Sequence, residues 1–91
     1  MAIKVKIPTM LLKWTGQKSE IRLNARTVRG MVDQLEGKYP GMKELILSPD
    51  GTIQHHFLIC INDEDVRYLD LLDTPLSSGD RVEIVAAIAG G

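Results

Sequence analysis

Residues 20–41, EIRLNARTVRGMVDQLEGKYPG, decide the fold because they join a strand pattern directly to a helix pattern. Ile21 and Leu23 alternate with polar residues, as in a strand with one buried face. The apolar positions that follow have a helical spacing, with Thr27 as a suitable N-cap and a Pro-Gly pair after the last of them. The sequence therefore predicts a helix over residues 27–39, whose buried side is formed by Val28, Val32, Leu35 and Tyr39.

Three further strands are predicted, one before this stretch and two after it. Before it, Ile3, Val5 and Ile7 alternate with lysines, and the polar residues 16–18 predict the turn of a hairpin with the second strand. After it, residues 57–61 are apolar at every position, and the last strand begins near residue 81 with Val82 and Ile84 facing inward. The remaining segments are predicted as an apolar plug at residues 45–47, polar turns at residues 48–51 and 62–65, and irregular chain at residues 66–76.

This order of elements is typical of an α+β fold of the ubiquitin-like β-grasp type. We expect a mixed sheet with one main helix packed on one face and water on the other face. The two outer strands would pair in parallel through a right-handed crossover. Residues 1–85 are expected to form this domain. Residues 86–91 would then be a flexible C-terminal tail that leaves the end of a central strand.

The composition argues against several classes of function. The chain has 91 residues and a formal net charge of −1, so it lacks the excess positive charge typical of proteins that bind nucleic acid or anionic membranes. Its one cysteine, Cys60, cannot form an internal disulfide, which is typical of a reducing compartment. No secretory signal or membrane-spanning stretch is visible. We therefore expect a single cytoplasmic domain.

The last two residues, Gly90 and Gly91, follow an apolar run and have no evident role in folding. Glycine loses more conformational freedom on ordering than any other residue, so a terminal pair contributes almost nothing to a fold. A strip of backbone without Cβ atoms is suited to enter a narrow channel of another protein and to present its carboxylate there. Two glycines also occur together by chance, so the pair gains meaning only from the rest of the sequence.

The sequence before these glycines resembles the ThiS/MoaD family of sulfur carrier proteins. The resemblance lies in Gly79-Asp80-Arg81-Val82-Glu83-Ile84, followed by an apolar tail and Gly90-Gly91. It covers essentially the whole chain, and residues 7–9, 61–67 and 87–91 are similar to the branch that serves cysteine synthesis, known as CysO. Relatives often carry proline just before the tail, where this chain has alanines.

The resemblance implies a carrier and not an enzyme. In this family an E1-like adenylating and sulfurating enzyme uses ATP and Mg to activate the terminal carboxylate, here that of Gly91. Sulfur then displaces AMP and leaves a thiocarboxylate, which a biosynthetic enzyme such as a cysteine synthase accepts. Synthesis of molybdopterin or of the thiamine thiazole is also possible as the client. The resemblance implies that the chain itself binds no cofactor or metal, and that its partners recognise the tail at Ala87, Ile88, Ala89 and Gly90.

A second candidate site is the sheet face that the helix leaves open. If the odd-numbered positions of the third strand face the helix, the even-numbered positions face outward. The outward positions of the first two strands are cationic. An apolar spot rimmed by cations is typical of a protein interface. The predicted docking residues are Leu58, Cys60, Lys4, Lys6 and Arg22.

Other side chains are weaker candidates. His55 and His56 would point to opposite faces of an extended chain and lack further ligands nearby, which argues against a metal site. Cys60 lies within a strand with no charge to activate it, so it is not expected to carry sulfur. Residues 63–65 lack the glycine of a calcium loop and predict a solvated turn. Trp14 is expected to pack back onto the sheet edge.

Two other functions share part of this pattern. A ubiquitin-type modifier would have the same fold, tail and activation step, but Gly91 would end in an isopeptide bond with a lysine. A non-covalent β-grasp interaction module would have inert terminal glycines. The sequence alone does not separate these functions from the carrier.

Overall fold

The first two strands form the predicted hairpin. The computed structural model describes residues 2–87 of the chain. β1 (Ala2–Lys6) pairs antiparallel with β2 (Glu20–Asn24), and every second side chain of each strand is buried. The turn predicted at residues 16–18 is present, with positive φ angles at Gly16 (65°) and Gln17 (71°). The connection between the two strands also contains a 3-10 helix (Thr9–Trp14), which was not predicted from the sequence.

α1 (Val28–Lys38) confirms the predicted helix. Thr27 is its N-cap, since its Oγ1 accepts a hydrogen bond from the backbone N–H of Gly30 at 3.1 Å. Tyr39 is the C-cap residue and packs half-buried against the core. Neither α1 nor any other helix within residues 2–87 is long and apolar enough to cross a membrane. The fully buried side of α1 is formed by Val28, Met31, Val32 and Leu35.

The segment after α1 is a second, shorter helix, α2 (Met42–Ile46), where the sequence predicted an apolar plug at residues 45–47. Met42 and Ile46 are fully buried, whereas Leu45 is only half-buried. The Glu36 carboxylate joins the two helices because it accepts hydrogen bonds from the backbone N–H groups of Gly41 and Lys43, the latter at 2.9 Å. The predicted turn over residues 48–51 then leads out of α2, closed by a hydrogen bond from Gly51 N–H to Ser48 C=O.

The last three strands are β3 (Phe57–Ile61), β4 (Glu64–Asp65) and β5 (Arg81–Ala86). The sheet order is β2-β1-β5-β3-β4. The parallel pair is β1 with β5, the first and last strands along the chain, as predicted, and both lie inside the sheet. The edges are β2 and the short β4, since β5 has partners on both sides.

Strand β4 corrects the prediction of a polar turn over residues 62–65. Only Asn62 and Asp63 form the turn, with φ angles of 49° and 73°, and the next two residues pair back onto β3. A strand of two residues is too short to show an alternating pattern. Between β4 and β5 the chain forms two short 3-10 helices, Val66–Tyr68 and Leu71–Asp73, where irregular chain was predicted.

The hydrophobic core lies between one face of the sheet and the helices. It takes every second residue of β1, β2, β3 and β5, together with the buried side of α1 and α2. The opposite face carries the outward residues of all five strands, and we call it the open face. This arrangement confirms the ubiquitin-like β-grasp and leaves one sheet face available to other molecules.

Candidate functional site

β5 is the last element of the part of the chain that the structure describes. β5 lies between β1 and β3, with Ala86 opposite Phe57. The N–H of Ala87 donates to the carbonyl of His56 at 2.7 Å, so the backbone pairing runs two residues into the segment predicted as the tail. The other predicted tail residues, Ile88, Ala89, Gly90 and Gly91, lie outside the described residues. The structure confirms that the last strand, β5, is a central strand of the sheet.

A shallow groove lies beside the end of β5. β1 pairs with β5 only as far as Lys6 and Glu83. Beyond this point the 3-10 helix that follows β1, and not a strand, lies beside the last residues of β5. The groove has a volume of about 500 Å³. Met10 contributes an exposed apolar side chain to it. The base of the tail is therefore bordered by a largely apolar wall, formed by Ile7, Pro8, Thr9, Met10, Ile84, Val85 and Ala86.

The strand registers place all five predicted docking residues on the open face, in three rows that run across the sheet. The row farthest from the end of β5 is the cationic row, Arg22, Lys4 and Arg81. The next is the mixed row, Glu20, Lys6, Glu83, Cys60 and Asp65. The row nearest the end of β5 is the apolar row, Val85 and Leu58, both half-buried.

These rows differ from the expected apolar spot rimmed by cations. Glu83 lies between Lys6 and Cys60, and its Oε2 is 3.9 Å from Nζ of Lys6. Leu58 adjoins Val85, whereas Lys4 and Arg22 lie two strands or more away from it. The prediction considered only three strands, and the insertion of β5 between β1 and β3 adds Glu83 and Val85 to this face. The cations and the apolar spot share the face but occupy different parts of it.

Cys60 lies in an environment that disfavours its thiolate. Burial raises the pKa of the Cys60 thiol, and the nearby carboxylates of Asp65, Glu83 and Asp63 raise it further. Arg67 acts in the opposite direction on this pKa with a smaller effect. Thiolate is the nucleophilic form of cysteine. The environment therefore supports the expectation that Cys60 does not carry the sulfur.

The histidine pair has a different geometry from the predicted one. His55 and His56 lie in a turn before β3 and not in extended chain, and their ring centroids are 5.6 Å apart in an edge-to-face arrangement. Within residues 2–87, no three His, Cys, Asp or Glu side chains are grouped closely enough to hold a metal ion. Trp14 packs half-buried against the hydrophobic core, whereas the prediction placed it on the sheet edge, and Lys13 Nζ lies 4.5 Å from the centroid of its ring.

Comparison with known proteins gives consistent matches over the chain. The ThiS family matches residues 5–91. The sulfur carrier protein CysO of Mycobacterium tuberculosis is 36% identical over 93 aligned residues, which cover 100% of both chains. CysO in the crystal structure of the BexX/CysO complex of Amycolatopsis orientalis superimposes with a TM-score of 0.92 at 31% identity, covering 99% of this chain and 100% of that one.

A further solved structure bears on the alternative function. The small archaeal modifier protein 1 of Methanosarcina acetivorans superimposes with a TM-score of 0.82 at 27% identity. The match covers 99% of this chain and 96% of the modifier. Carriers and a modifier thus share the same complete domain.

Proposed function

The chain belongs to the ThiS family, and we propose from this membership that it carries sulfur as a thiocarboxylate at Gly91. Its full-length relatives are sulfur carrier proteins, which supports a sulfur carrier role. The observation that carries the finer proposal is the family match through residue 91, together with the central position of β5, the strand that precedes the tail in sequence. Both features suit a carboxylate that reacts in the site of a partner.

The proposed chemistry needs a partner because a carboxylate oxygen is a poor leaving group. An ATP-dependent activating enzyme joins the Gly91 carboxylate to the AMP part of ATP, and pyrophosphate leaves. Hydrosulfide, or a persulfide reduced afterwards, attacks the acyl carbon, and AMP leaves. The product is a thiocarboxylate that a sulfur-accepting enzyme uses in biosynthesis, and cysteine synthesis is the client that we favour. ATP and Mg are used by the activating partner, and this chain supplies the acyl group and the docking surface.

Three features of the described residues support a chain that supplies the acyl group and the docking surface while the partner supplies the catalysis. The thiol of Cys60 has a raised pKa and is a poor alternative carrier of sulfur. The open face extends from the end of β5 over five strands and provides the area for docking. The apolar row lies on it next to the base of the tail, so a partner that holds the tail also meets Leu58 and Val85.

The test is the intact mass of the protein after incubation with a cell extract, ATP and sulfide. We expect an ATP-dependent mass gain that corresponds to the exchange of one oxygen for one sulfur, located by fragmentation at residue 91. A gain that does not require ATP, or that maps to Cys60, would contradict the proposal.

A ubiquitin-type modifier is the second candidate, favoured by the likeness to small archaeal modifier protein 1. In this case the activated Gly91 carboxylate would form an isopeptide bond with a lysine of another protein. An epitope at the N-terminus would then reveal a ladder of conjugates in denatured extract. A ladder that disappears with the removal of Gly91 would establish conjugation. A single band with the thiocarboxylate mass would instead support the carrier role and exclude conjugation.

A further inference from the structure

The cationic row has the same charge at three adjacent positions. Lys4 lies opposite Arg22 across β1 and β2, and opposite Arg81 across β1 and β5. Like charges directly opposite each other on one face of a sheet destabilise it. The row therefore opposes folding and is not explained by the requirements of the sheet.

The neighbouring mixed row shows that the same strands do not require this arrangement. There Glu20, Lys6 and Glu83 follow one another across β2, β1 and β5, so the charges alternate in sign. Lys6 Nζ is 3.9 Å from Glu83 Oε2. Opposite charges across neighbouring strands stabilise a sheet. The chain uses the favourable pattern on one row and the unfavourable one on the next.

Within the part of the chain that the structure describes, a carboxylate pairs with the cationic row at one end, at Arg81. Asp63 Oδ2 lies 3.7 Å from the guanidinium of Arg81, and both side chains are largely exposed, so this pair contributes little. Among residues 2–87, no carboxylate lies within 4.0 Å of the charged nitrogens of Lys4 or Arg22. Two exposed cations at the centre and outer end of the row are thus available to anions from another molecule.

We propose that the cationic row binds an acidic segment of a partner protein. Neighbouring strands are about 4.8 Å apart, so the row spans roughly 10 Å between the backbones of Arg22 and Arg81. Acidic residues two positions apart in an extended segment are separated by about 7 Å, a distance between the spacing of neighbouring cations and the length of the whole row, so the long side chains of the row can reach both carboxylates. The proposal deepens the proposed function, because it gives the chemistry of a partner that uses the open face.

The surroundings of the row favour carboxylates on a protein over a continuous polyanion. A nucleic acid strand that followed the face would run from the cationic row onto Glu20 and Glu83 of the mixed row. The net charge of −1 also gives no general attraction for nucleic acid. A short acidic segment can lie along the three cations without continuing over the mixed row, although Glu20, Glu83 and Asp63 border the same depression as Lys4 and Arg81.

The test is an NMR titration of the ¹⁵N-labelled full chain with a short oligoglutamate peptide. We expect the largest amide shift changes at Lys4, Arg22 and Arg81, and weaker binding as the salt concentration rises. The double variant Lys4→Glu, Arg22→Glu should lower the affinity about tenfold or more. Lys43→Glu, which changes an exposed cation on α2, on the other side of the sheet from the open face, should bind as the unaltered chain does.

Thermal unfolding provides a second readout. Lys4→Glu alone would convert the row to alternating charges, so its Tm should rise by roughly 2–6 °C while its binding of the peptide weakens. A fall in Tm would contradict the conclusion that repulsion between the like charges of the row destabilises the sheet. This readout also shows that lost binding does not result from unfolding.

Three other outcomes would overturn the proposal. Equal shift changes at Lys13, Lys18 and Lys43 would show unspecific attraction, and the same shifts with inorganic phosphate at similar concentration would show a site for small anions. Stronger binding of duplex DNA than of the peptide would assign the row to nucleic acid. A chain that lacks Gly91 should bind the peptide normally, so the result is independent of the thiocarboxylate chemistry.

Discussion

Cys60 shows how neighbouring charges decide the chemistry of one residue. The thiol lies on the open face, half-buried, and its pKa is raised by burial and by the carboxylates of Asp65, Glu83 and Asp63. Less thiolate is therefore present at neutral pH than for a free cysteine. A residue with this environment is poorly suited to accept or transfer sulfur.

The first prediction is that Cys60→Ser still acquires the sulfur. The variant should show the ATP-dependent mass gain at the same rate as the unaltered chain, because the reacting carbon belongs to Gly91. Alkylation of the unaltered chain by iodoacetamide should reach its half-maximal rate at a higher pH than that of a free cysteine peptide. A sulfur found on Cys60 by peptide mapping would overturn this assignment.

The second prediction concerns Gly91 itself. Removal of Gly91, or Gly91→Val, should abolish ATP-dependent activation because the carboxylate is displaced or obstructed in the partner's site. Thermal unfolding should stay unchanged. Gly37→Ala is the matched control, since a Cβ at this exposed position of α1 would have no atom within 4 Å apart from its own stretch of helix. Normal activation of either Gly91 variant would contradict the carrier proposal.

At the scale of elements, α1 is the part of the fold that the sequence predicts best. Its spacing of apolar residues, its N-cap and its end are all local features, and the structure confirms them. The third prediction is that Val32→Asp unfolds the protein or destabilises it severely, by roughly 3 kcal/mol or more, because the charge is buried without a partner.

The control for Val32→Asp is Gln34→Asp, which places the same side chain on the exposed side of α1. We expect this control to change the free energy of unfolding by less than about 1 kcal/mol. Urea titration followed by circular dichroism measures both. Similar stability of the two variants would show that the helix register is wrong.

The fourth prediction concerns the junction of α1 and α2. The backbone N–H groups of Lys43 and Gly41 lower the pKa of Glu36 below its ordinary value of 4.5. A carboxyl whose pKa is lowered on folding contributes stability that is fully present above that ordinary value and is lost as the pH falls through the folded pKa. Glu36→Gln should therefore lower the Tm at pH 7 and have a smaller effect in acid.

Thermal unfolding at pH 7 and under acid conditions measures this difference. Glu44→Gln is the matched control, because Glu44 is exposed on α2. An equal loss of Tm for Glu36→Gln at both pH values would show that charge on Glu36 does not matter.

The elements that the sequence missed have a common physical cause. β4 has two residues and is a strand only because Cys60 and Ile61 lie beside it. The 3-10 helix over Thr9–Trp14 buries Leu11 alone, which is too little for a periodic pattern. Short elements depend on contacts with distant segments, which local patterns do not contain.

At the scale of the whole molecule, the open face and the end of β5 form one continuous surface. The apolar row adjoins the base of the tail, and the cationic row lies at the far end of the face. A flexible tail loses conformational entropy when it is bound, so it contributes little net affinity. Most of the affinity for the activating enzyme should therefore come from this face.

The fifth prediction is that Leu58→Glu weakens association with the activating enzyme about tenfold or more, since burial of a leucine contributes roughly 2 kcal/mol. The fold should persist because Leu58 is only half-buried on the open face. Calorimetric titration measures the affinity. Reversal of Lys4 and Lys6 should instead slow association and reduce its dependence on salt.

Tyr68→Glu is the control for Leu58→Glu. Tyr68 is a large apolar residue that is 79% exposed, in the 3-10 helix that follows β4. This variant should bind normally. Unchanged affinity of a folded Leu58→Glu protein would exclude the apolar row from the interface.

The sequence by itself determined the hairpin, α1, the inward residues of β3 and β5, and the family resemblance in residues 79–91. These features depend on periodicity, capping and turn residues, which neighbouring positions specify. Only the tertiary structure decided which side chains meet on the open face. The insertion of β5 between β1 and β3 sets Glu83 between Lys6 and Cys60, and Arg81 beside Lys4. That juxtaposition joins residues almost eighty positions apart, so it follows from strand order and register, which no local pattern specifies.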